Sequence, residues 1–238
     1  MLVCVVDYGL GNVRSVCNAL RLLGHRTEVT SDPARLTRAE ALVLPGVGAF
    51  DDAMAHLRRR GLLPVIEAAA EAGKAVLGIC LGMQVLYKES EEGGREEGLG
   101  LLTGRVRRLP GRVKVPHMGW NLVEPTGPSP LFPAGEPCYL YFAHSYYAPE
   151  GGEVLARVSY GLTFPAAVRW GSVFGVQFHP EKSGRAGLAV LGRFLTYARE
   201  VAAWRARREK AVLVLSSATP SLESYHRALE GRYTLVSL

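Results

Sequence analysis

The stretch that most constrains this chain is Ala75-Val-Leu-Gly-Ile-Cys80-Leu-Gly82-Met-Gln84. An apolar run stops at a cysteine set between Gly78 and Gly82, and Met83, Leu86 and Tyr87 then recur at helical spacing. A strand that turns sharply into a helix needs glycines where Cβ atoms would collide. Strand, tight turn and helix is the geometry of a nucleophile elbow. The thiol then stands at the end of the strand beside a helix N-terminus, where free N–H groups and the helix dipole favour thiolate. A buried core cysteine fits the same residues, because free cysteine is among the most buried residue types.

The flanking pattern indicates which sheet carries this turn. Residues 2–7 form an apolar strand and residues 8–11 a turn. Asn12 is placed to cap a helix with the stripe Val13, Val16, Cys17, Leu20 and Leu23, ended by Gly24. Residues 25–30 read as a second strand broken by Ser31-Asp32-Pro33, and residues 41–44 as a third ending at Pro45. Gly46-Val47-Gly48-Ala49-Phe50 precedes a helix over residues 51–60, and another is expected over 64–71, closed by Gly73. Apolar strands alternating with helices predict a parallel sheet with ligands at its C-terminal strand ends. Both glycine-rich turns, 45–50 and 78–82, lie at such ends. Residues 89–100 are charged and glycine-rich and read as a solvated loop. Short strands separated by Pro and Gly (105–109, 113–115, 119–123, 138–143, 154–160, 164–170 and 172–178) predict antiparallel pairing that extends the first sheet or packs beside it. A helix over 183–206 follows. The expected fold class is α/β, a mixed, mostly parallel sheet flanked by helices, with added antiparallel strands.

Composition narrows the function classes. No run approaches the roughly 20 apolar residues of a membrane span. Residues 1–9 read directly as a strand with no basic run ahead of it, so no leader is expected. Cys4, Cys17, Cys80 and Cys138 show neither paired nor zinc spacing, so free thiols in a reducing cytoplasm, with no metal and no cofactor, are the expectation. The net charge of +6 invites a nucleic-acid reading. Half of it lies in residues 201–238, where six Lys/Arg face three acids, so the body carries no nucleic-acid footprint.

A cysteine nucleophile needs a base, since only a few per cent of an unperturbed thiol is ionised at neutral pH. Of the six histidines, His25 and His56 read as solvated. His179 ends an apolar strand, is followed by Pro180, and has Glu181 two residues on, on the same side of an extended chain. That carboxylate can orient the imidazole and stabilise its charged form; a plain strand-end turn has the same sequence. Acyl transfer also needs oxyanion donors, each worth about 2.7–4 kcal/mol. The N–H of Leu81 follows the nucleophile, and the Gly46-Val47-Gly48 turn can bring the Val47 N–H to the same site.

These residues carry a resemblance. Gly78-Ile-Cys80-Leu-Gly82 after a strand, with His179-Pro-Glu181 near the end of about 200 residues, resembles class I (triad) glutamine amidotransferases. Pro45-Gly-Val-Gly-Ala-Phe50, Pro116-His-Met-Gly-Trp-Asn121, His144-Ser-Tyr146 and the opening Val5-Val-Asp-Tyr-Gly-Leu-Gly-Asn12 look like the glutaminase subunits of imidazole glycerol phosphate synthases, enzymes of histidine biosynthesis. Pro-Gly-Val-Gly stands where many class I relatives have Pro-Gly-Gly. The resemblance implies a flavodoxin-like sheet over residues 1–200 and hydrolysis of glutamine to glutamate and ammonia through a thioester on Cys80. By the same resemblance His179 and Glu181 complete the triad, and Gly46, Gly48, Gln84, His144, Ser145 and Tyr146 hold the glutamine. It further implies a (β/α)8-barrel cyclase subunit as partner, met by Asn12, Trp120, Asn121 and Lys182. Val47 lies between two glycines, so its peptide is expected to turn into the site only when the partner and its ligand are bound. Pro45-Gly-Val-Gly-Ala-Phe50 and the Trp120 segment argue against another cysteine hydrolase of this fold, and the intact Cys80, His179 and Glu181 set with the near-neutral body argues against a non-enzymatic binding module.

Residues 201–238 fall outside that resemblance. Residues 211–225, with Ser217-Ala-Thr219, resemble a fragment of the primosomal replication helicase, without a phosphate-binding loop. The tail is expected to be an appendage too small to bury its own core.

Overall fold

A computed structural model describes residues 1–94 and 96–208, and the sequence expectations for residues 209–238 lie outside it. Among the described residues the main sheet has nine strands, in the order β2-β1-β3-β4-β12-β11-β10-β7-β8. From β2 (Arg26–Thr30) through β1 (Leu2–Val6), β3 (Ala41–Gly46) and β4 (Ala75–Cys80) to β12 (Val173–Val176), neighbours are parallel. Beyond them β11 (Thr163–Trp170), β10 (Glu153–Ser159), β7 (His117–Pro125) and β8 (Cys138–His144) pair antiparallel. The antiparallel strands therefore extend the first sheet. A smaller sheet joins β5 (Tyr87–Ser90), β6 (Leu102–Arg108) and β9 (Tyr146–Tyr147).

Strand alternation divides the core in two. Val3, Val5, Leu77, Ile79 and Phe174 face one side, packed with α1 (Val13–Leu22) and α6 (Gly184–Arg208) through Leu20, Leu191 and Phe194. Cys4, Val6, Leu42, Leu44 and Val76 face the other, against α3 (Phe50–Arg59) and α4 (Leu63–Glu71) through Met54, Leu57 and Ile66. Both faces are covered, as near-continuous apolar strands require. Among the described residues, no helix is long and apolar enough to cross a membrane.

Several local expectations change. Pro33 does not merely break a strand: it opens α2 (Pro33–Arg38), and the Asp32 carboxylate accepts the Ala34 N–H at 2.9 Å. Residues 113–115 are not a strand. The helix after Cys80 is a single turn, α5 (Leu81–Gln84), and Tyr87 already belongs to β5. Its macrodipole is correspondingly small, so the elbow supplies N–H groups rather than a long dipole. Residues 89–100 are not simply solvated, since Glu92 is half-buried and accepts the Phe50 N–H at 2.9 Å, which holds the loop to the start of α3. His56 is not free either: it hydrogen-bonds the Tyr8 carbonyl at 2.9 Å. Helix α6 runs past residue 200 to Arg208 and buries Ala202 and Ala203, so residues 201–208 continue the domain's last helix.

Backbone packs closely against backbone at the elbow. A Cβ on Gly82 would overlap the Leu44 carbonyl oxygen, and one on Gly78 would overlap the Gly82 carbonyl. Backbone cannot retreat from such contacts as a side chain can. We expect Gly82→Ala to cost about 3 kcal/mol or more of unfolding free energy, whereas Gly111→Ala, which meets open space, should stay within about 0.5 kcal/mol. Urea titration of the two variants measures the difference.

Candidate active site

Strand β4 ends on Cys80 at φ 55° and ψ −110°, the single described non-glycine residue with positive φ. Such a conformation costs on the order of 1–3 kcal/mol and persists only where surroundings enforce it. Here the crossing of Gly82 under Leu44 enforces it. The Cys80 Sγ–H points to the Ala143 carbonyl at 3.8 Å, and the Gln177 amide points back at Sγ, also at 3.8 Å.

Strand β12 lies parallel to β4, with Val176 in register with Ile79. Both chains therefore end on one edge, and His179 arrives beside Cys80. The short turn Pro180–Lys182 brings Glu181 back so that its Oε1 accepts from His179 Nδ1 at 2.9 Å. The Glu181 side chain is fully buried. Asn12 does not cap α1 with its side chain; its Nδ2 donates to Glu181 Oε1 at 3.2 Å. Burial alone would push the His179 imidazole down, but contact with Cys80 and Glu181 outweighs it and raises its pKa to about 9. Cys80, His179 and Glu181 thus form one connected line, with the second nitrogen of the ring left for the sulfur.

The line opens into a cavity of about 300 Å³. Of the sequence-predicted residues, Val47, Gly48, Leu81, Gln84, His144, Ser145, Tyr146 and Lys182 line it together with Cys80 and His179. Gly46 does not: its α-carbon packs against Leu81, Gly82 and the Tyr8 hydroxyl, and Tyr8 donates to the Pro45 carbonyl at 2.7 Å. Gly46 shapes the turn from behind. Gln84 Nε2 donates to the Tyr146 carbonyl at 2.8 Å and to Gln177 Oε1 at 3.1 Å. Trp120 is exposed on β7 on the same face as Met118; Met118 and Lys182 line the cavity, and Lys182 lies over the Tyr141 ring at 5.9 Å. Asn121 turns the other way, donating to the Ser159 carbonyl at 3.0 Å.

Three polar residues at or behind the site do not stand out as functional in the sequence. Glu92 lines the cavity, and burial raises its pKa. Nothing in a run of acids and glycines singles it out. Gln177 is fully buried against Cys80; it is polar in the apolar run Val173-Phe-Gly-Val-Gln-Phe178, a signal that was there to read. His117 is buried against His144; its motif is visible in the sequence, but its register across from β8 is not. Among the described residues, no group of three His, Cys, Asp or Glu is placed to hold a metal ion.

A strained cysteine at a strand-to-helix turn, paired with a His–Glu couple over a small cavity, has the parts of a cysteine-nucleophile enzyme. The family model described as glutamine amidotransferase class-I matches residues 4–196, and the chain belongs to that family. More particularly, it is similar to the imidazole glycerol phosphate synthase subunit HisH of Moorella thermoacetica, with 52% identity over 81% of this chain and 93% of that protein. It is as close to the subunit HisH of Symbiobacterium thermophilum, with 53% identity over 81% of this chain and 92% of that protein. Among solved structures, a glutamine amidotransferase crystal structure superposes with TM-score 0.65 at 25% identity, covering 84% of this chain and 98% of that one. PurLQS from Thermotoga maritima superposes with TM-score 0.66 at 26% identity, covering 82% and 98%.

Histidine charge states set a pH dependence of stability. Burial lowers His117 to about 4 and His144 to about 3, from 6.5. Unfolded, these rings bind protons that the folded protein refuses, so their contribution is complete above pH 6.5 and is lost as pH falls toward 4 and 3. His179 has the opposite sign: its contribution is complete below pH 6.5 and is lost as pH rises through 9. The urea midpoint should fall at both ends of that range, and His179→Ala should flatten the alkaline arm while leaving the acid arm in place.

Proposed function

We propose that this chain is the glutaminase half of an imidazole glycerol phosphate synthase of histidine biosynthesis, acting in the cytoplasm beside a (β/α)8-barrel cyclase that consumes its ammonia. The observation that carries this is Cys80, held at positive φ in line with His179 and Glu181, at the floor of a cavity sized for one amino acid. Relatives that are half identical over almost their whole length bear the HisH name.

The chemistry follows from the residues present. The Cys80 thiolate attacks the γ-carboxamide carbon of glutamine, and the Leu81 and Val47 N–H groups receive the negative charge that develops on oxygen. His179, charged beside the thiolate, gives its proton to the departing nitrogen; ammonia leaves and a γ-glutamyl thioester remains. Now neutral, His179 takes a proton from a water that attacks the thioester, returns it to sulfur, and glutamate is released. Glutamine and water thus become glutamate and ammonia. Glu181, and behind it Asn12, hold the ring with Nδ1–H directed away from the sulfur.

Binding is polar at one end. Glu92 is the cavity-lining carboxylate suited to the α-ammonium of glutamine. Gln84, Gly48 and the 144–146 segment surround the rest. The apolar face of Met118 and Trp120, with Lys182, adjoins the mouth and suits a partner that takes ammonia without exposing it to solvent. Residues 209–238 add no chemistry to this reading.

Glutaminase activity should be low in the isolated chain and rise about a hundred- to thousandfold with cyclase and its nucleotide, the value of one oxyanion donor supplied on docking. Full activity without the partner would sink the Val47 switch, and no activity with it would sink the glutaminase reading. A γ-electrophilic glutamine analogue should label Cys80 and no other thiol. Glu92→Gln should raise the glutamine KM by roughly 10- to 100-fold with little change in kcat, as expected for loss of a charge-assisted bond.

A further inference from the structure

Behind the cavity wall lies a hydrogen-bonded line that the reaction scheme does not use. His117 and His144 face each other across β7 and β8 as register partners. His117 Nδ1 and His144 Nε2 are 3.1 Å apart, and His144 Nδ1 lies 2.8 Å from the Tyr146 carbonyl. Asn121 Nδ2 lies 3.3 Å from His117 Nε2. The same Tyr146 carbonyl accepts from Gln84 Nε2.

Every direction in this line is determined by chemistry. A carbonyl can only accept, so His144 Nδ1 carries a proton. Burial keeps both rings neutral at physiological pH, so His144 Nε2 is an acceptor and His117 Nδ1 donates to it. His117 Nε2 is then an acceptor for Asn121. The Asn121 amide cannot be turned round, because its Oδ1 accepts the Leu122 N–H at 2.8 Å and its Nδ2 donates to Ser159. Polarity therefore runs one way, from Asn121 through His117 and His144 to the Tyr146 carbonyl. The opposite face of the same strand carries Met118 and Trp120.

We propose that His117, which touches no substrate, is a positioning residue. It donates to Nε2 of His144, whose Nδ1–H is fixed by the Tyr146 carbonyl, and so pins the ring and with it the Ala143–Tyr146 wall and the Gln84 amide; it also links that wall to the strand whose other face carries Met118 and Trp120. The inference rests on the glutaminase reading for its kinetic consequence, but not for its tautomers. Ala143 at one end of the pinned segment accepts from Cys80, and Tyr146 at the other orients Gln84, so a loosened wall affects glutamine binding first. His117 is also sandwiched between Phe142 and Tyr160, with ring centroids 4.8 and 3.9 Å away. A phenylalanine there keeps the stack and removes only the two nitrogens.

The test uses the full chain with its cyclase subunit and nucleotide. Long-range proton–nitrogen NMR of the imidazoles at neutral pH should show His117 and His144 each as a single neutral Nδ1–H tautomer; an Nε2–H form of either overturns the proposal. In His117→Phe, His144 should keep its Nδ1–H, fixed by the Tyr146 carbonyl, while its Nε2 resonance shifts to that of an acceptor without its donor. The glutamine KM should rise about tenfold, the value of one buried hydrogen bond, while kcat falls by less. An unchanged KM in the active variant defeats the proposal, whereas an inactive wild type defeats the glutaminase reading instead. Asn121→Leu, at the accessible end of the line, should raise KM in the same direction and add little in combination with His117→Phe. Full additivity of the two would also overturn it. If His117→Phe does not fold, the wild-type tautomers and the Asn121→Leu kinetics still decide.

Discussion

The contact on which this structure depends is between two pieces of backbone: Gly82, at the first turn after β4, packs directly beneath the carbonyl of Leu44 in β3. Neighbouring parallel strands can come this close past their ends only where one lacks a side chain. The approach forces β4 to turn at Cys80, and the turn holds the cysteine at a φ it would not adopt alone. The same approach sets Gly46 against Leu81 and brings the 46–48 turn to the lip of the cavity. The strain on Cys80 is small beside the burial of the apolar strands around it. A reactive sulfur can therefore be presented at an edge without the fold giving way.

Sheet order supplies the rest. The chain leaves β4, builds β5 through β11, and returns with β12 parallel to β4. Two strands far apart in sequence thus end side by side, one carrying the thiol and the other the imidazole. The short turn after His179 folds Glu181 beneath the ring, and Asn12 reaches it from the start of α1. A buried carboxylate so close to a buried sulfur is tolerable because the ring between them carries positive charge, which is why His179 is raised while the other buried rings are lowered. One protein thus holds histidines in two opposite states. Partners with charge hold one charged, and burial without them holds two neutral.

The residues that make chemistry were legible where local sequence dictates local shape. Glycines around Cys80 announce a turn that needs them, and His179-Pro-Glu181 places a carboxylate within reach of its own ring. Glu92 and His117 were not legible, because each acquires meaning from a neighbour far along the chain: Phe50 for the first, His144 for the second. Gln177 stands between these cases, since a lone amide in an apolar run signals a buried partner without naming it. The single-turn helix after Cys80 reads as longer in the sequence for a related reason. Leu86 and Tyr87 do face the core, but Tyr87 does so from a strand of the smaller sheet.

By itself the sequence determined the period of most segments and many of the places where the backbone must turn, and it put Glu181 within reach of His179, all of which depend on a few neighbouring residues. Only the tertiary structure decided which strand ends lie together. It also decided that Asn12 serves Glu181 rather than a helix N-terminus, and that Asn121 points along the sheet while Trp120 faces outward. The physical reason is that hydrogen-bond partners and burial are long-range quantities. Which donor finds which acceptor depends on strand order and register, and those emerge only when the whole sheet closes over its two cores.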